Sequence, residues 1–190
     1  MEPIRFKFNF DKALQATAYF LQLAGGSMSY LKLLKLLYIT EREYLAEEHE
    51  MITGDRVAAM KYGPVLSNIY DLIKRKGDRA EEWAGYLAET PGYCLALVAD
   101  PGSDRLCRAE RDKITNVFCR YGKMDRFLAV EMTHDFPEWA NNFDTNSPRK
   151  SFPIPVEDIL SYQDKGEMID KVRERQKEIA HYENLFGVQR

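Results

Sequence analysis

Between Leu31 and Leu45 the apolar residues of this chain fall on two neighbouring helical stripes, and that width constrains everything packed around them. Leu31, Leu34, Tyr38 and Leu45 lie on one stripe; Leu33, Leu37 and Tyr44 lie on the next. A surface helix needs one apolar stripe, whereas a face this wide must be covered by more than one neighbour. The spacing therefore predicts a central helix from Tyr30 to Glu48, capped by Ser29, with Lys32, Lys35 and Arg42 on its remaining side.

Other segments supply the neighbours. Phe8 to Ala24 reads as an opening helix that Asn9 or Asp11 can cap and Gly25-Gly26 ends. Ile52-Thr53-Gly54-Asp55-Arg56 is a turn signal, and Val57 to Tyr62 a short extended lead-in. Pro64 suits the first position of a third helix, running to Lys76, because its missing N–H is unused there. A short helical piece follows around Trp83 and Tyr86. Tyr93–Val98 and Asp104–Arg108 read as a hairpin around Asp100-Pro101-Gly102-Ser103. Helices are expected from Arg108 to Tyr121 and from Met124, the latter with Phe127, Leu128 and Met132 as its apolar side, then a loop from Thr133 to Phe152. Two more helices, Val156 to Gln163 and Glu167 to Leu185, complete the chain, the last with charges of alternating sign. The expected fold is mainly α: a compact multi-helix domain over residues 1–162 with a small β-hairpin, and a C-terminal helical extension over 163–190.

Composition narrows the function classes. Hydrophobic residues at 45% and charged residues at 30% describe an ordinary globular chain. A net charge of −3 argues against a protein whose task is to hold a phosphate backbone. The one basic cluster, Lys74, Arg75, Lys76 and Arg79, sits where cations complement the carbonyl end of a helix. The N-terminus lacks the layout of a signal peptide, and no run approaches the roughly 18 apolar residues of a membrane span. Cys94, Cys107 and Cys119 are too widely spaced for a disulfide framework or a zinc site, so they are expected to be small apolar fillers in a reducing cytoplasm.

The chemistry concentrates in a few residues. Gly63 allows a close backbone approach and Pro64 fixes an entry angle, while Lys61 and Tyr62 beside them are typical interface material. Tyr38 and Tyr70 read as core residues whose hydroxyls reach the surface. His134 could act as a base oriented by Asp135, but adjacent side chains on an irregular segment diverge, and no serine or cysteine nucleophile is identifiable. His134 is expected instead to bond backbone, and Trp139 to anchor its loop in a groove. His49, His134 and His181 lack the paired spacing of a zinc site, so no metal or cofactor is expected.

Taken in order, Leu33-Leu34-Lys35-Leu36-Leu37-Tyr38, Ile52-Thr53-Gly54-Asp55, Ala59-Met60-Lys61-Tyr62-Gly63-Pro64-Val65 with Ile69-Tyr70, Leu106 with Ala109-Glu110, and Leu128 followed by Thr133-His134-Asp135-Phe136-Pro137-Glu138-Trp139 resemble the Panacea antitoxin domain. This domain is also called SocA-like and is often labelled phage-associated. The resemblance spans residues 10 to 162. Two features depart from it: Tyr30-Leu31-Lys32 stands where a basic residue or asparagine is expected, and the last helix has no counterpart. The resemblance implies a non-enzymatic antitoxin of a prokaryotic toxin–antitoxin pair, cytoplasmic, binding a cognate toxin protein directly. Lys61, Tyr62, Gly63, Pro64 and Tyr70 are then the candidate partner-binding residues; Leu34, Leu37, Tyr38, Gly54, Asp55, Thr133, His134 and Trp139 are motif residues. A proteolytic adaptor handing its client to a AAA+ protease, with the last helix as docking element, and a hydrolase built on His134 and Asp135 are the rival readings. The wide apolar helix faces leave a homodimer open.

Overall fold

The computed structural model describes residues 3–186 and contains nine α-helices and six short strands among them. The helices are α1 (Phe10–Leu23), α2 (Tyr30–Glu48), α3 (Ser67–Ile73), α4 (Ala80–Tyr86), α5 (Arg108–Tyr121), α6 (Arg126–His134), α7 (Pro137–Asn142), α8 (Val156–Ser161) and α9 (Ile169–Phe186). The strands are β1 (Ser27–Ser29), β2 (Val57–Met60), β3 (Gly63–Leu66), β4 (Leu87–Thr90), β5 (Cys94–Leu97) and β6 (Ser151–Pro153). The mainly α expectation holds.

Helix α2 is the axis of the molecule. Every residue from Leu33 to Glu41 is buried, so the helix is covered on all sides, including the side expected to be polar. Helices α1, α5, α6 and α8 and strands β1, β3 and β5 surround it. Ser29 precedes α2 but makes no capping bond, and its hydroxyl is buried without a partner. Asn9 does cap α1, accepting from the Lys12 N–H at 3.0 Å.

Two antiparallel three-stranded sheets flank this axis, ordered β1-β5-β4 and β3-β2-β6. Both differ from the sequence expectation. Cys94–Leu97 pairs with Leu87–Thr90 and Ser27–Ser29, whereas residues 104–107 form no strand. Glu110 explains why: its carboxylate accepts from the Cys107 N–H at 2.7 Å and starts α5 there. Pro64 is not the first residue of a helix. It lies in β3 opposite Ala59, and because β3 is an edge strand its missing N–H breaks no ladder bond. Helix α3 therefore begins only at Ser67. The expected loop from Thr133 to Phe152 holds α7, with Pro137 at its start, and β6.

At the C-terminal end, Val172 is buried and Arg173 pairs with Glu157 of α8 at 3.3 Å, which ties the first turns of α9 to the body. Further along, Leu185 is exposed. Cys107 and Cys119 are exposed and Cys94 is half-buried, so the cysteines are not the core fillers expected. No helix among the described residues is long and apolar enough to cross a membrane.

Candidate functional site

Strands β2 and β3 form a hairpin whose two-residue loop, Lys61-Tyr62, projects into solvent; Tyr62 is 55% exposed. The residues after it are enclosed. Gly63 adopts a φ of +88°, and a Cβ there would stand 2.7 Å from Thr133 Oγ1 and 3.2 Å from Lys35 Nζ. Only glycine lets the chain turn back while α6 and α2 press this close. Gly63 and Pro64 are both buried, so of the paired motif only Lys61 and Tyr62 offer surface to another molecule. The elbow is scaffolding for the tip, not contact area.

Two side chains hold that tip by its backbone, and a third braces one of them. The Lys35 amine, fully buried on α2, donates to the Pro64 carbonyl at 2.7 Å. The Trp139 indole N–H donates to the Met60 carbonyl at 2.9 Å. His134 stacks on Trp139 with ring centroids 3.9 Å apart and planes 7° apart, and its buried Nε2 has no hydrogen-bond partner among the described residues. Burial, followed by the nearby Lys35 charge, lowers the His134 pKa. Asp135 is exposed at the end of α6, while His134 is held in the ring stack. Trp139 is thus the anchor the sequence predicted, whereas His134 packs on its ring.

Behind the tip lies a second polar group. Tyr38 is fully buried, and its hydroxyl, instead of reaching the surface, donates to Glu138 Oε1 at 2.6 Å. Arg42 Nε donates to the same oxygen at 2.5 Å, its Nη1 donates to Gln163 at 3.1 Å, and its guanidinium lies 4.3 Å from the centre of the Phe136 ring. Burial first, then the Glu138 charge, pushes the Tyr38 hydroxyl well above its ordinary range. This set fastens α7 to α2 and so fixes Trp139.

The Thr53-Gly54-Asp55 motif works at the opposite, open end of the hairpin. Glu41 accepts from the Ile52 and Thr53 N–H groups at 2.7 Å each and from the Thr53 hydroxyl. Asp55 accepts from the Asn68 and Ile69 N–H groups at 2.9 Å, capping α3 from a distance in sequence. Tyr70 is half-buried on α3 and does not join the tip. Leu34 and Leu37 are core residues, 1% and 2% exposed.

Burial moves three of these groups. It brings the Lys35 amine down to about 7 and raises the Glu41 and Asp55 carboxyls to about 7 and about 6. Unfolded Lys35 titrates near 10.5, so between pH 7 and 10.5 the unfolded chain holds the extra proton and stability rises with pH. The carboxyls act in the opposite sense: from their ordinary values near 4 up to about 7 the folded chain holds extra protons, and stability falls as pH rises. These three groups together place a stability minimum near neutrality. Chemical denaturation from pH 7 to 9.5 should show a gain on the order of 2–4 kcal/mol in the wild type, and Lys35→Met should flatten it. A Lys35→Met variant with the same alkaline slope would remove Lys35 as its source.

One surface feature escaped the sequence reading. Phe127 and Leu128, expected on the inner side of α6, are 54% and 51% exposed. The inner side is Ala129, Val130 and Thr133, small residues that let α6 approach Gly63. The signal was present as that run of small residues at helical spacing. Phe127 and Leu128 at the start of α6, and the Lys61-Tyr62 loop near its end, stand at the two ends of the α6 surface, about 14 Å apart by the rise of a nine-residue helix. Each exposed ring carries a cation over it: Lys61 at 5.6 Å from Tyr62 and Arg126 at 4.9 Å from Phe127. Such aromatic and cationic pairs suit protein recognition.

Away from this face, a cleft of about 900 Å³ lies between the chain leading into α1 and the α3–α4 turn. Among the described residues no group of three His, Cys, Asp or Glu side chains stands close enough to hold a metal ion.

Residues 33–140, more than half of the 190, match the family model described as "Antitoxin SocA-like, Panacea domain". No curated protein and no solved structure matches the chain.

Proposed function

Because the chain belongs to the SocA-like antitoxin family with its Panacea domain, we propose that it is an antitoxin that neutralises a cognate toxin protein by binding it, without bond chemistry of its own. The observation that carries this reading is the clamped hairpin tip. Buried Lys35 and half-buried Trp139, the latter braced by the His134 ring, fix the backbone on which exposed Lys61 and Tyr62 stand. A loop already immobilised loses little further freedom on association, which favours tight binding from a small contact. The toxin docks on the face from the tip along α6, with Tyr62, Phe127 and Leu128 as apolar anchors and Lys61 and Arg126 at the margin. Neutralisation is then steric: the toxin's working surface is covered.

Co-expression with the product of the neighbouring gene tests this. Tyr62→Ala combined with Leu128→Asp should weaken toxin binding at least about 30-fold, which is roughly 2 kcal/mol for the loss of two central anchors. Neutralisation should be lost while the melting temperature is kept. A harmless neighbour, or full rescue by the double variant, would refute the assignment of this face.

A further inference from the structure

At the end of the face nearest Arg126, the chain has a second groove of about 490 Å³, between the α1–β1 turn and the α5–α6 loop. Its charge sets it apart. Lys32, Lys123 and Arg126 line it, against a single carboxylate, Asp125. That carboxylate is committed, because Asp125 accepts from the Phe127 N–H at 2.7 Å as the cap of α6. None of the three cations forms an ion pair among the described residues, and Lys32 uses one of its N–H groups on the Gly122 carbonyl at 2.8 Å. The larger cleft is more nearly balanced: Asp11, Asp71 and Asp78 line it together with Arg56, Lys76, Arg79 and Arg105, an excess of one cation against two in the smaller groove. On a protein of net charge −3, the smaller groove is a local positive site.

The lining between these cations is apolar and adaptable. Met28, Met124, Leu23 and Phe118 supply it, and methionine fits a variety of shapes at low energetic penalty. Ser29 adds a hydroxyl that is buried and has no partner in the folded chain. Such a group is commonly satisfied by something outside the protein's own atoms. Arg126, which lines the groove, also lies over the Phe127 ring at 4.9 Å.

We infer that this groove receives an acidic, apolar segment of the partner protein, with carboxylates against Lys32, Lys123 and Arg126 and a neighbouring leucine-, methionine- or phenylalanine-sized side chain between Met28 and Met124. The inference builds on the partner-binding reading and adds the chemistry of the partner. Charge complementarity chooses this occupant over a neutral or basic one, and it speeds the encounter as well as fixing its register.

The test uses the full chain and a random 12-residue peptide display, the selected sequences being resynthesised for fluorescence anisotropy. The selected peptides should pair Asp or Glu with an adjacent large apolar residue. Lys123→Glu with Arg126→Glu should weaken them at least tenfold, and replacing the peptide's own acids by amides should do the same. If that double variant melts early, Lys123→Gln, at an exposed position, should still weaken binding about threefold. Selected peptides without acids, binding unchanged by charge reversal, no peptide at all, or tighter binding of a 12-nucleotide single strand would each overturn the proposal. The two readings fail separately. Acidic peptides held here without any toxic neighbour would keep the groove and remove the antitoxin. A toxin neutralised equally by the charge-reversed variant would keep the antitoxin and remove the groove.

Discussion

Gly54→Ala will lose on the order of 4 kcal/mol, enough to leave a domain of ordinary stability partly unfolded at growth temperature. Two effects add. The φ of +64° is one that a residue with a Cβ adopts only under strain, of order 1–3 kcal/mol. The added carbon is also driven into the Lys7 carbonyl group, with the carbonyl carbon itself only 2.8 Å away. That is backbone, not the yielding end of a side chain, and it cannot retreat freely because the next strand of contact, Asn9 N–H to the Thr53 carbonyl at 2.8 Å, holds the two segments together. Gly25 makes the control: its φ is also positive, but a Cβ there meets nothing within 4 Å, so Gly25→Ala should cost only the conformational part. Equilibrium denaturation of the two variants decides it. Equal losses would show that the close approach to Lys7 is unimportant.

Glu138→Ala should be comparably severe, about 3–5 kcal/mol, the range for removing one member of a buried ion pair. The side chain is fully buried, and its loss leaves the Arg42 guanidinium without its carboxylate and the Tyr38 hydroxyl without its acceptor. Glu138→Gln should lose less, since an amide oxygen can still accept from either group. Because α7 carries Trp139, the alanine variant should also loosen the hairpin, seen as faster amide exchange at Met60 to Gly63. A stable Glu138→Ala variant with unchanged exchange would show that the cluster does not position the tip.

Much of this architecture was visible in the order of residues, and the failures share a cause. The width of the apolar face of α2 correctly made it the centre. Lys35, however, was assigned to a solvent side because periodicity treats every cation as polar surface. It is buried because the turn at Pro64 leaves a carbonyl that needs a donor, and a need created by a residue 29 positions away has no local signature. Pro64 failed similarly: proline is acceptable at a helix start and on an edge strand, and only the sheet order, with β3 outermost, decides between them. Phe127 and Leu128 were assumed inward because they are large. Contact with Gly63 selected the small residues Ala129 and Thr133 for that side instead, which turned the large ones out. Of the exposed part of the candidate site, the Lys61-Tyr62 tip was legible and Phe127 and Leu128 were not, whereas the motif residues Gly54, Asp55, Thr133 and Trp139 shape and fasten it.

The division of labour at the hairpin has a consequence for how such a protein can change. The bonds that grip the tip run to the main-chain carbonyls of Met60 and Pro64, and neither depends on which side chains occupy positions 61 and 62. Those two positions can be rewritten without disturbing the grip, so sequence change at the outermost pair of residues is uncoupled from the fold that carries it.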